Sequence, residues 1–148
     1  MNVPHNALVL VCDGQRATLY RNRGRIFEPD LVALESREQE NPPTREQGTD
    51  RPGRFPDPAG SRSAVENTDW HQEAEDRFAA GIAAELNHKA VVGELDRLIL
   101  VAPPRMLGAL RKALEPQAEK RIIAEIDKDL TRHDPAVIGA ILVDHVAA

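Results

Sequence analysis

A chain of 148 residues is long enough to bury about two thirds of the surface its unfolded form exposes, without a second core. Aromatics make up 3% of it and apolar residues 41%, so the core has to be built from Val, Ile, Leu and Ala, an ordinary composition for one α/β domain spanning 1–148. A formal net charge of −5 argues against a general polyanion binder, because nonspecific nucleic-acid affinity comes from Lys and Arg on phosphates; a local basic patch remains open.

The opening MNVPHNALVLVCDG has no basic region, and its apolar run is too short for a signal peptide. Nothing approaches the roughly 20 apolar residues of a membrane span, so a cytoplasmic location is expected. His5 is read as part of a frayed terminus. Ala7–Cys12 reads as a buried strand. Cys12 is the only cysteine, which excludes an intramolecular disulfide and a cysteine-rich zinc site, and an inert packed thiol is favoured over a reactive one. Asp13-Gly14 signals a turn, Arg16–Arg21 a returning strand, and Asn22-Arg23-Gly24 a second turn. Arg25–Glu35 follows as a third extended segment, with Pro29 suggesting an edge position or a break. The opening is thus a β-meander.

Periodicity vanishes from Arg37 to Ala64, where five prolines, three glycines and ten charged residues leave little to bury beyond Phe55 and Ala59. The span predicts a mobile loop over 37–64. Its tail, RPGRFPDPAGSRS, sets Arg51, Arg54 and Arg62 against Asp57 alone, with Phe55 between them, and reads as the one basic, aromatic-bearing patch in an acidic protein. Two readings stand: a solvated excursion, or a loop whose arginines and aromatic contact RNA or another anion.

Asn67-Thr68-Asp69 supplies N-cap side chains, with Gln72 in capping-box relation to Asp69. Trp70, Ala74, Phe78, Ile82 and Leu86 then recur at four-residue spacing, predicting a helix of some five turns that Asn87–Asp96 closes. Leu98–Ala102 is a continuous apolar run of strand length, the mark of a strand covered on both faces. Pro103-Pro104 suits a helix entrance, and Met106, Leu107, Leu110, Ala113 and Leu114 follow at helical spacing. Glu115-Pro116 breaks the chain, Arg121–Ile126 forms another strand, and Asp134-Pro135 caps and opens a last helix carrying Val137, Ile138, Ile141, Leu142 and His145.

Four segments, VLVCDGQRATLYRNRG, DWHQEAEDRFAAGIAAEL, LILVAPPRMLGALRKAL and EIDKDLTRHDPAVIGAIL, resemble in their order the bacterial host attachment protein family, named for a requirement in attachment to host cells. The resemblance spares the long loop, and its specificity lies in APPRMLGALR and EIDKDLT. That family is in turn similar to the middle domain of the eukaryotic and archaeal peptide release factors. The resemblance implies a mixed sheet flanked by helices, with a long loop before the first helix. In those factors the loop carries Gly-Gly-Gln and promotes ester hydrolysis at the peptidyl-transferase centre. Here the corresponding tip is Gly60-Ser61-Arg62, and Gly-Gly-Gln occurs nowhere, so hydrolysis has no carrier while contact with RNA or the ribosome remains implied.

Asp13, Asp69, Asp127 and Asp129 stand nearest to strand ends or helix starts, and a metal-dependent hydrolase or nuclease would need two or more of them convergent. Turn, cap and solvent roles account for each, so no metal site is assigned. Trp70 and His71 fall in the first turn of the predicted long helix, where backbone amides and the helix dipole favour anions. His71 lacks a Ser or Cys partner at recognisable spacing, and the favoured reading is that Trp70 caps the core and His71 is a surface residue. His88, His133 and His145 are scattered and make no zinc site. The reading is an α/β fold with a mixed sheet of about five strands and three main helices. Function is expected to be non-enzymatic, cytoplasmic and cofactor-free, acting in attachment indirectly through a macromolecular partner. The alternatives are an RNA- or ribosome-associated module using Arg51, Arg54, Phe55, Arg62 and His71, and a metal-dependent hydrolase.

Overall fold

A computed structural model describes residues 1–39 and 60–145 and, within 60–69, the helical backbone alone. The elements run β1 (Leu8–Cys12), β2 (Arg16–Asn22), β3 (Leu31–Glu38), α1 (Gly60–Val91), β4 (Leu98–Ala102), α2 (Pro104–Ala113), the single turn α3 (Pro116–Glu119), β5 (Ile122–Asp127) and α4 (Pro135–Asp144). The strands make one mixed sheet in the order β3-β2-β1-β4-β5. Its first three strands are an antiparallel meander, while β1, β4 and β5 run parallel.

Side-chain alternation divides the sheet's two faces. Leu8, Leu10 and Cys12 of β1, with Leu98, Leu100 and Ala102 of β4, pack against α1 to α3 through Phe78, Ile82, Leu86, Met106, Leu110 and Ala118. Val9 and Val11, with Ile99 and Val101, face the other way onto Ile138 and Leu142 of α4, joined by Val3, Tyr20 and Leu31. The parallel register sets Leu8 beside Leu98 and Val9 beside Ile99, so both strands feed both cores. This is why Leu98–Ala102 reads as an unbroken apolar run: every residue of β4 is buried, and burying each large side chain contributes about 1.5–3 kcal/mol.

Local chemistry fixes the joints. Pro104 occupies the first turn of α2, where its missing N–H costs no bond. The side chain of Asn87 on α1 closes the far end of α2, its Oδ1 accepting the Glu115 amide at 2.8 Å and its Nδ2 donating to the Ala113 carbonyl at 3.3 Å. The Met1 ammonium donates to the carbonyls of Leu142, Val143 and His145, at the end of α4.

Several expectations are corrected. The third strand is Leu31–Glu38 rather than Arg25–Glu35, because the Asn22 side chain binds the amides of Gly24 and Asp30 and curls the intervening residues into a turn. Pro29 lies before the strand, and β3 is indeed an edge. The span 37–64 is not one loop: Arg37 and Glu38 belong to β3 and α1 begins at Gly60, so of that span residues 40–59 lie outside the description. Asn67, Thr68 and Asp69 therefore sit inside α1 rather than capping it. The apolar stripe marks only the part of α1 that packs on the sheet, while the helix itself continues upstream of it. Asp134 precedes α4 without a side-chain cap bond, and His145 lies just beyond its end. His5 is not frayed: its Nδ1 donates to the Gly24 carbonyl at 2.8 Å, next to the buried Val3.

Candidate functional site at the carboxyl end of the sheet

The parallel strands β1, β4 and β5 end together at Cys12, Ala102 and Asp127, the side of an open α/β sheet where ligands are usually bound. Asp13 turns the chain out of β1. Its Oδ1 accepts the amides of Gln15 and Arg16 at 2.8 and 2.7 Å, the turn that Asp-Gly announces in the sequence. Beyond β5, Asp129 Oδ1 accepts both the amide and the hydroxyl of Thr131, at 3.1 and 2.6 Å. That hydroxyl also stands 3.3 Å from Asp13 Oδ2. It has one proton, which the shorter contact assigns to Asp129, with Asp13 as the alternative acceptor, so Thr131 stands between two carboxylates that the sequence separates by more than a hundred residues.

Behind this pair lies Cys12, fully buried. Burial first, and then the charges of Asp13 and Asp129, push its thiol up to about 12. At neutral pH it is a protonated, inert packing group. The stem of Glu75, on α1, lies against Gly14, where a Cβ would stand 2.6 Å from the Glu75 Cγ. Gln39 anchors the chain here as well. Its amide donates to the Gln15 carbonyl at 2.8 Å and its side chain to the Ala74 carbonyl at 2.7 Å. Gln39 is thereby fixed at this end of the sheet.

Of the site residues expected from sequence, Arg51, Arg54 and Phe55 lie outside the described residues, and Arg62 is placed only as backbone in α1. His71 is half-buried on α1, its ring edge-on to Trp70 at 5.2 Å between centroids and 76° between planes. Because α1 starts at Gly60, neither residue lies in its first turn, and the helix-terminus argument for an anion at His71 falls. Asp13 and Asp129 do converge, whereas Asp127 is exposed at the end of β5. Among the described residues no group of three or more His, Cys, Asp or Glu side chains is placed to hold a metal ion. Nor is any helix there long and apolar enough to cross a membrane.

A family described as "Protein required for attachment to host cells" matches residues 8–142, from the first residue of β1 into α4. The chain belongs to the host attachment family. No curated protein matches it. In this member the features that the match spans are the mixed sheet, the two buried faces and the Asp13–Thr131–Asp129 junction.

Sequence reasoning missed Thr131, whose role appears only when β1 and β5 are brought to one end. It also missed a second basic, aromatic-bearing segment, Arg21-Asn22-Arg23-Gly24-Arg25-Ile26-Phe27, at the opposite end of the sheet. The patch around Phe55 is therefore not the only one of its kind. The signal was present as three arginines in alternation before Ile-Phe, in a stretch read only as turn and strand.

Proposed function

We propose that this member of the host attachment family acts in attachment by binding a macromolecular partner, without a reaction of its own, and does so from the cytoplasm. The observation that carries the reading is how the acidic groups at the carboxyl end are used. Asp13 shapes the β1–β2 turn, Asp129 shapes the turn after β5, and Thr131 stands between them, so these carboxylates serve the fold rather than face a common ligand. The protonated Cys12 beside them is a poor nucleophile. A reducing compartment suits a single unpaired cysteine. Partner contact falls to the segment that leaves this end after Gln39, through Arg51, Arg54 and Phe55, with Arg62 and His71 on α1.

A second reading, contact with RNA or the ribosome in the manner of a release-factor middle domain without its hydrolytic glutamine, is favoured by the combination of arginines with Phe55. Asp13, Asp127 and Asp129, at the carboxyl end of the sheet where Gln39 is anchored, oppose it, since they repel phosphate. The test has two arms. Cells lacking the protein should lose attachment, wild type should restore it, and Arg51/Arg54/Arg62→Ala should not, while melting like wild type. A salt-graded pull-down with ribosomes and RNA then separates the readings, because phosphate contacts weaken steeply with salt and lose roughly one unit of salt slope per arginine removed. Full restoration by the triple variant overturns the assignment of the segment, and peptidyl-tRNA hydrolysis by wild type overturns the non-enzymatic reading.

A further inference from the structure

The turn between β2 and β3 is built firmly. Asn22, the buried polar residue among those described, accepts the amides of Gly24 and Asp30 at 2.8 and 2.9 Å and donates to the carbonyls of Val3 and Pro4 at 2.9 and 3.2 Å. Arg25 and Glu28 exchange both of their backbone hydrogen bonds, at 3.0 and 3.2 Å, and the Val3 amide donates to the Ile26 carbonyl at 3.2 Å. Gly24 has no room for a side chain, since a Cβ would stand 2.6 Å from the Asp30 amide nitrogen. Ile26 and Phe27 occupy the two central positions of the turn at ordinary negative φ, where most residues are accepted and no large apolar pair is required. They are 42% and 67% exposed, so core packing does not account for them. A rigid turn holds two large apolar side chains out in water.

Arg21, Arg23 and Arg25 lead into this tip, and among the described residues none of them forms an ion pair. A recess of about 570 Å³ lies along the tip, lined by His5, Gly24, Arg25, Ile26, Phe27 and Glu28. His5 also lines a second recess, of about 420 Å³, that Arg21 and Arg97 share with Glu94 and Asp96. Lys89 stands 3.7 Å from Glu94 and Arg121 stands 3.6 Å from Asp96, which leaves Glu28 and Asp30 as the acids that temper the arginines of the turn.

We infer that the Arg21–Phe27 tip is a docking point for an anionic bilayer surface. Ile26 and Phe27 enter the boundary between headgroups and acyl chains, while Arg23 and Arg25 reach lipid phosphates. The aliphatic neighbour decides between a bilayer and RNA: a base gains by stacking on Phe27 but not from Ile26, whereas the lipid boundary takes both. One short tip supplies weak, reversible binding that needs anionic lipid. The inference does not depend on the partner contact proposed above.

The test is co-sedimentation of the full chain with phosphatidylcholine vesicles containing about 30% phosphatidylglycerol, beside pure phosphatidylcholine, at about 0.1 M salt. Wild type should sediment with the anionic vesicles and not with the neutral ones. Ile26→Ser/Phe27→Ser should lower the bound fraction at least about tenfold with an unchanged melting curve, and Arg23→Glu/Arg25→Glu should do the same. Arg51/Arg54/Arg62→Ala should leave vesicle binding intact, so failure here and failure of the partner reading are distinguishable. No sedimentation with anionic vesicles, or equal sedimentation of wild type and both tip variants, overturns the proposal. So does a wild-type dimer, or an RNA complex, that the Ile26→Ser/Phe27→Ser variant abolishes in place of any lipid effect.

Discussion

β4 and β3 begin with nearly the same alphabet, Leu-Ile-Leu-Val-Ala against Leu-Val-Ala-Leu, yet β4 is wholly buried while β3 buries only Leu31. Composition cannot distinguish them; position in the sheet does. β4 lies between β1 and β5 with helices on both of its faces, whereas β3 forms the outer edge, where Val32 and Leu34 stay exposed and Glu35, Arg37 and Glu38 complete the strand. The difference teaches that an apolar run reports a two-sided core only when polar residues do not soon interrupt it. In β3 they do, from Glu35 onward, and the mixed pattern is how an edge discourages pairing with other chains.

The sharpest way to break the comparison is one substitution in each strand. Ile99→Asp places an unpaired carboxylate at a position with no solvent exposure and should cost about 4 kcal/mol or more, enough to unfold the chain at ordinary temperature. Val32→Asp, at 41% exposure, should stay within about 0.5–1 kcal/mol. Thermal melting of the two variants side by side decides, and equal losses would mean that the edge is covered in solution.

Next in size is Asn22→Ala at the turn that leads into β3. It strands the amides of Gly24 and Asp30 and the carbonyls of Val3 and Pro4, and at about 1–3 kcal/mol for a buried group left unsatisfied the loss should be about 2–3 kcal/mol, given access of water to the loosened turn. Urea unfolding measures it. Amide exchange at Gly24 and Asp30 should accelerate while Leu100 stays protected, which distinguishes local release of the tip from global loss.

Cys12 brings the central strands a pH dependence. Its thiol is raised from about 9 in the unfolded chain to about 12 in the fold. The unfolded chain therefore loses its proton first, and stability is intact below about pH 9 and falls as pH rises toward 12. Unfolding curves at pH 8 and pH 10.5 should diverge for wild type, and Cys12→Ala should narrow the gap. Alkylation of native protein at pH 8 should proceed no faster than unfolding.

How far these features were legible in the sequence follows the same division. β1, β4 and α2 could be read because burial on both faces, or on one helical stripe, writes a period directly into the residues. The start of α1 could not, because the upstream residues add no apolar position to the stripe that begins at Trp70, and capping residues at 67–69 imitated a boundary inside a helix. The Arg25–Phe27 turn was concealed by its own apolar tip, which looks like strand; the partner that bends it, Asn22, acts through side-chain bonds that no periodicity records. At the carboxyl end, Asp13 could be assigned to its turn from Asp-Gly alone. Thr131 could not be assigned, since its contact with Asp13 depends on sheet order.

The smallest expected effect sharpens the comparison from the edge side. Arg37, on β3, reaches across Gly81 to Glu85 on α1, with 2.7 Å between Nη2 and Oε1 and both side chains more than a third exposed. Water and salt screen such a pair, so Arg37→Ala should cost only about 0.2–1 kcal/mol, most of it gone at high ionic strength. A double-mutant cycle with Glu85→Ala isolates the pair from the packing of the Arg37 guanidinium over Gly81. A coupling under about 1 kcal/mol agrees with an edge held by backbone bonds to β2 and by Leu31 rather than by charges. A coupling well above that, insensitive to salt, would show Arg37 and Glu85 shielded from water in solution, and β3 would then have to be counted as an interior strand with a cover still to be identified.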